Sequence, residues 1–179
     1  MKAAAVDIRQ CFQPVLGTPP WRVKAGVGSF LTFEFGPRIR TDGHVHGRWH
    51  LWIYLSNWKL FRGERQLVDS DADRKLIAIS TRRLEGESLT DVDFNARTRK
   101  TTFSFGDFRL VVSPADYLDR PDERDHYWIF VMPDNEVLAV GPAGMRVEQG
   151  DARHTFVDGK KQKIKIHPTH VTRQITLED

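Results

Sequence analysis

Cysteine is almost absent: among 179 residues there is one, Cys11. A lone thiol allows no internal disulfide, so packing has to hold the fold, and a reducing compartment, the cytoplasm, is the expected location. No apolar run approaches the roughly 18 residues of a membrane span. Asp7 and Arg9 interrupt the N-terminus before the apolar core of a signal peptide could form. Excess charge is small as well. Lys and Arg number 27 against 24 Asp and Glu, a formal +3, which indicates no partner unless the basic residues gather on one face. Internal repeats and low-complexity tracts are missing, and so is the Gly-x-Ser-x-Gly elbow of a serine hydrolase. Gly26-Val27-Gly28-Ser29 lacks the lysine and the following helix of a phosphate loop, and reads as a tight turn or bulge.

What the chain does have is aromatic mass: five Trp and eleven Phe within a 40% hydrophobic composition. Such residues favour strands and bury much area each, which leans the fold towards β structure. A short helix is expected over residues 3–13, with Ile8 and Phe12 on one face and Pro14 ending it. From Trp21 the period becomes two. Trp21, Val23 and Ala25 share one strand face; Leu31, Phe33 and Phe35 share another, with Phe30, Thr32 and Glu34 opposite.

Asp42-Gly43 is a two-residue hairpin signal, because a type I′ turn needs positive φ at both central positions. The register counted back from that turn pairs Arg40 with Val45 and Ile39 with His46. Continued unbroken, it sets Phe33 opposite Trp52 and Leu31 opposite Tyr54. An extra residue at Gly36, Pro37 or Gly47 would shift it and reverse the facing. Residues 49–55 are apolar on both faces, which places them at the centre of a sheet.

Residues 62–71 read as a polar loop. A helix is expected over 72–85, capped by Ser70 or Asp71, with Leu76, Ile77, Ser80 and Leu84 inward and Gly86 past its end. Strands follow at 89–96, 100–105, 108–113, 126–132 and 136–140, closed by Gly141-Pro142-Ala143-Gly144. Residues 151–179 read as a basic hairpin around Asp158-Gly159 with a loose tail. The expected fold is therefore α+β over residues 1–150. It is a mainly antiparallel sheet of about six to eight strands, with one main helix packed on a face and a short N-terminal helix.

Candidate chemistry is sparse. His44 and His46, at i and i+2, present two imidazoles on one strand face, the spacing of a metal pair. His50 has the same parity but would lie roughly 13 Å beyond His46 in a straight strand, and no acidic partner sits at a matching spacing. These three residues are the candidate ligands of a divalent transition metal such as zinc; the competing reading is exposed histidines near a hairpin tip. Cys11 reads as a small core residue. The pairs Asp91 with Asp93 and Glu123 with Asp125 read as polar strand faces rather than acid–base dyads. Basic clusters stand at Arg82-Arg83, at Arg97, Arg99 and Lys100, and at Lys160, Lys161 and Lys163. The last two form the candidate nucleic-acid surface, although helix-end, turn and edge-strand roles account for each cluster.

Gly28-Ser29-Phe30 through Phe35-Gly36, Gly47-Arg48-Trp49-His50-Leu51-Trp52-Ile53 and Trp58-x-Leu60 resemble small uncharacterised bacterial proteins, some of them immunity-like or accessory to toxin loci. The resemblance covers roughly residues 20–140 and rests on packing and turn residues, so it carries no catalytic set. The function expected is non-enzymatic protein binding, with Trp58, Arg62 and Arg65 as candidate contacts. A metal-dependent role for the histidines and nucleic-acid binding are the alternatives. The partner expected is another protein, with a homodimer through the C-terminal hairpin as a second form of association.

Overall fold

The computed structural model describes residues 6–41, 43–115 and 125–150, together with the backbone of residues 163–164 and 175–176. Asp7 caps α1 (Ile8–Phe12) by accepting the Arg9 N–H at 3.0 Å, and Pro14 turns the chain into one 3-10 turn at Gln13–Val15. Then follow β1 (Arg22–Ala25), β2 (Leu31–Thr41), β3 (His44–Ile53), β4 (Ser56–Arg62), β5 (Arg65–Asp69) and α2 (Arg74–Thr81). The chain continues through β6 (Leu89–Asn95), β7 (Lys100–Phe105), β8 (Phe108–Pro114), β9 (Trp128–Val131), β10 (Glu136–Gly141) and β11 (Gly144–Gln149). Two further short strands, β12 (Lys163–Ile164) and β13 (Ile175–Thr176), pair with each other. The hairpin expected at Asp158-Gly159 falls outside the described residues. None of the described helices is long and apolar enough to cross a membrane.

The α+β class is as the pattern implies, but the strands divide into two antiparallel sheets. One has the order β1-β2-β3-β9-β10-β11 and the other β5-β4-β8-β7-β6. Their inner faces share one core, in which Phe33 stacks on Phe105 with ring centroids 5.8 Å apart and Phe103 meets Trp128 edge-on at 5.4 Å. The Trp128 indole N–H donates to Thr101 Oγ1 at 2.8 Å, which satisfies a polar atom buried between the sheets. Phe12 of α1 enters the same core, stacked on Phe130 at 4.0 Å.

Because each sheet covers the other, the main helix does not lie on a sheet face as expected. It packs against β1 and β5, the edge strands on one side of the sandwich. Asp73, not Ser70 or Asp71, caps it by accepting the Lys75 N–H at 2.9 Å. Its inward stripe is Ile77, Ser80, Thr81 and, one 3-10 turn on, Leu84. Leu76 is 48% exposed, so its expected core role is corrected: the spacings i, i+3, i+4 and i+7 from Ile77 leave it off the stripe. Two strands replace expected non-strand segments. β5 lies in the stretch expected to be a loop, and β11 follows the turn expected to close the section. Both are edge strands.

The central hairpin decides what faces what. Arg40 pairs with Val45 and Ile39 with His46, as counted from the turn, and Gly43 has φ +85°. Between Phe35 and Arg38 the register shifts by one, so Phe33 faces Leu51 and Leu31 faces Ile53 rather than Trp52 and Tyr54. The extra residue is the Gly36-Pro37 bulge. Gly36 has φ +71° and lies so close to the Trp49 ring that a Cβ there would stand 2.6 Å from it. Across the hairpin, a Cβ on Gly47 would meet the Phe35 backbone nitrogen at 2.7 Å.

The bulge puts the large apolar side chains of the near half of the hairpin on the core side. Leu31, Phe33, Phe35, Leu51 and Ile53 all become fully buried. Gly47→Ala is expected to cost about 3 kcal/mol, the upper end of overpacking, since backbone rather than a movable side chain has to give way. Urea denaturation against wild type measures it.

Candidate functional site

On β2 the residues alternate with Phe33 and Phe35 pointing inward, so Glu34 is carried to the opposite face of the six-stranded sheet. The bulge-shifted register places it directly across from His50 on β3 and, on its other side, across from Arg22 on β1. The carboxylate is buried and held from three directions. His50 Nδ1 lies 2.6 Å from Oε2, the Gly47 N–H donates to Oε2 at 2.7 Å, and Arg22 Nη2 donates to Oε1 at 3.1 Å. Burial would raise the Glu34 pKa, but the hydrogen bonds from His50, the Gly47 N–H and Arg22 together outweigh it and hold the carboxyl below its ordinary value. Arg22 Nη2 also donates to the Val45 carbonyl at 2.7 Å, tying a third strand to the hairpin.

From His50 the contacts continue. Its Nε2 lies 3.1 Å from His46 Nδ1, and the ring centroids are 5.0 Å apart. His46 Nδ1 is also 3.0 Å from the Gly47 carbonyl oxygen. One tautomer assignment satisfies all of these contacts. His50 carries its proton on Nδ1, donated to the ionised Glu34, and offers the Nε2 lone pair. His46 carries its proton on Nδ1 and shares it between that lone pair and the Gly47 oxygen. The result is a carboxylate–imidazole–imidazole chain with the charged end buried.

Two expectations are corrected here. His50 is not out of reach of His46, because the side chains span the distance between their strand positions and bring Nε2 of one to 3.1 Å from Nδ1 of the other, so the partnership found is His46 with His50 rather than His44 with His46. An acidic partner does exist. Glu34 sits opposite His50 once the register is shifted by one residue, and that shift is the signal that would have found it. His44 is exposed near the hairpin turn. Among the described residues, no three His, Cys, Asp or Glu side chains are grouped to hold a metal ion.

The remaining candidates scatter. Trp58 is 1% exposed and its indole N–H donates to the Ser29 carbonyl at 2.7 Å, so it belongs to the core and leaves the expected contact surface. Arg62 and Arg65 stay exposed at the β4–β5 turn, with the Arg62 guanidinium 5.5 Å from the Phe108 ring centroid. Arg97 and Arg99 occupy the β6–β7 turn and Lys100 begins β7. Arg99 has φ +59° and its guanidinium borders Gly144, so this turn does not present a row of outward cations. Lys160 and Lys161 lie outside the described residues, and for Lys163 only the backbone strand is described. Asp91 pairs with Arg9 at 2.8 Å, and burial, foremost, pushes the Cys11 thiol up, away from thiolate chemistry.

A second buried histidine has no local signal in the sequence, because its partners come from distant strands. His126 is fully buried, with Nδ1 3.3 Å from the Tyr54 hydroxyl and Nε2 2.7 Å from Arg146 Nη2. Arg146 also pairs with Glu148. Burial and the Arg146 charge push His126 down to about 4, so it is neutral at pH 7 and accepts from Arg146. Compared with protein-family models, with curated proteins and with solved structures, the chain matches none.

Two stability predictions follow from the geometry. Glu34→Ala leaves Arg22 and His50 facing an empty buried site and is expected to cost about 3 kcal/mol or more in urea denaturation, with Glu34→Gln less damaging. His126 has a folded value near 4 against 6.5 for the free side chain, so the unfolded chain takes up its proton first on acidification. The stability from its neutral form is complete above about pH 6.5 and falls towards pH 4, by up to roughly 1.4 kcal/mol per pH unit. Urea midpoints measured across that range should decline in wild type and decline less in His126→Asn.

Proposed function

We propose that the protein is a non-enzymatic, cytoplasmic binding protein that engages an acidic protein partner through the far end of the β2–β3 hairpin. The observation that carries this reading is the shape and charge of that hairpin. β1 covers β2 only as far as Glu34, and β9 covers β3 only as far as His50. Beyond those residues the two strands pair only with each other among the described residues, so a ribbon roughly 20 Å long runs past the sheet.

Arg38, Arg40 and Arg48 are exposed on this ribbon, and none has an ion-pair partner among the described residues. Arg38 stacks 4.6 Å from the Trp21 ring centroid and Arg48 lies 5.7 Å from that of Trp49, which restrains both side chains before any partner arrives. Ile39, 37% exposed between two arginines, supplies an apolar anchor. A cationic rim around an apolar contact suits an acidic protein surface better than a phosphate backbone, which has nothing to offer Ile39. The resemblance to immunity-like proteins is compatible with such a role, and self-association through the C-terminal hairpin is the competing assembly.

The test is a pull-down from the native host with wild-type bait and with an R38E/R40E/R48E bait. The reading expects a captured acidic protein that the triple variant binds at least tenfold more weakly, while an R62E/R65E bait keeps it. An identical capture by the triple variant would remove the ribbon from the interface. Capture that disappears on nuclease treatment would replace the protein partner with nucleic acid.

A further inference from the structure

We propose that His46 and His50 form a binding site for one divalent first-row transition-metal ion of the zinc, nickel or copper class, held between His46 Nδ1 and His50 Nε2. The two nitrogens already converge at 3.1 Å. An ion roughly 2.0–2.1 Å from each would see them at an angle of about 100°, within the range of a distorted tetrahedral or square arrangement.

The orientation of the ligands is fixed before the ion binds. Glu34 accepts the Nδ1–H of His50 at 2.6 Å, so in the neutral imidazole Nε2 is the lone-pair nitrogen, and the carboxylate is itself fixed by the Gly47 N–H and Arg22. A buried carboxylate behind a ligand imidazole is the arrangement that sets tautomer and raises ligand basicity in metal sites. The Gly47 carbonyl oxygen, 3.0 Å from His46 Nδ1, adds a neighbouring oxygen donor from the backbone. Among the described residues, no third His, Cys, Asp or Glu is grouped with the pair to complete a three-ligand set.

The proton count closes simply. Without metal, His46 holds its proton on Nδ1 and shares it with His50 Nε2. On binding, that proton moves to His46 Nε2, both imidazoles stay neutral, and the ion replaces the proton between the rings. Imidazole nitrogens set the metal class, because calcium and magnesium require oxygen shells.

The experiment is calorimetric titration of zinc(II) into the full-length, tag-free chain after chelator treatment, with circular dichroism to check each variant's fold. One ion per chain is expected, lost in His46→Gln and in His50→Gln and retained in His44→Gln. Glu34→Gln keeps both ligands and is expected to weaken binding about tenfold or more. Imidazole nitrogen resonances of His46 and His50, and of no other histidine, should shift at one equivalent of zinc(II). Full binding by a folded His46→Gln/His50→Gln variant overturns the site. So does loss of binding in His44→Gln, or no saturable binding to folded wild type. Partner capture in metal-free buffer reads the ribbon separately, so failure of either idea leaves the other standing or falling on its own result.

Discussion

One extra residue governs this structure. The bulge at Gly36-Pro37 inserts it into β2, and everything on the sheet-ward side of β2 changes partner as a result. In an unbroken ladder Glu34 would face Leu51, a core residue, and a carboxylate would have to enter the core or an apolar strand would have to turn out. Either choice costs several kcal/mol through buried charge or exposed apolar area. The bulge removes the conflict by turning the near half of the hairpin relative to the far half. Its conditions are local. Gly36 tolerates positive φ beside the Trp49 ring, and Gly47 has no side chain where the Phe35 backbone passes. The Trp21 indole then donates to the Gly36 carbonyl at 3.1 Å, so the kink leaves that oxygen satisfied.

Glu34 is the electrostatic consequence of that geometry. A buried carboxylate is tolerable only when its lone pairs are met, and here three donors from two neighbouring strands meet them. Those donors also serve as mechanical ties. Arg22 reaches from β1 to both Glu34 and the Val45 carbonyl, while Gly47 and His50 belong to β3 on either side of the bend. The ribbon is therefore anchored to the sheet at its base by an ionic knot rather than by a neighbouring strand. A two-stranded ribbon alone is marginally stable in water, so this anchoring is what lets residues beyond it keep a fixed direction.

The sequence disclosed the elements whose surroundings are symmetric and hid those whose surroundings are not. β3, apolar on both faces, could only be a central strand, and it is third of six. The Asp-Gly turn fixed the far half of the hairpin correctly. β5 and β11 escaped because edge strands are solvated on one side and read as polar loops, Arg-Gln-Leu-Val-Asp in one case. The single sheet became two because period-two patterning reports a buried face but not what buries it. At the site, the histidines were visible as a motif, while the contact between His46 and His50 depends on side-chain reach along β3 that strand spacing alone does not disclose. Glu34 could be matched to His50 only after the one-residue shift at the bulge. His126 with Tyr54 and Arg146 was out of reach altogether, since 72 residues of chain separate the tyrosine from the histidine.

The two buried histidines show how one side chain takes opposite roles on the same sheet. His126 is buried beside a guanidinium, so its neutral form is fixed and it serves as an acceptor for the half-exposed Arg146. His50 is packed beside a carboxylate, which orients it and leaves its far nitrogen directed at a second imidazole. The first environment spends both ring nitrogens on holding strands together. The second uses one nitrogen for the fold and directs the other along the hairpin towards the ribbon. That asymmetry, set by Glu34 and ultimately by the bulge, separates the His46–His50 pair from the more deeply buried His126.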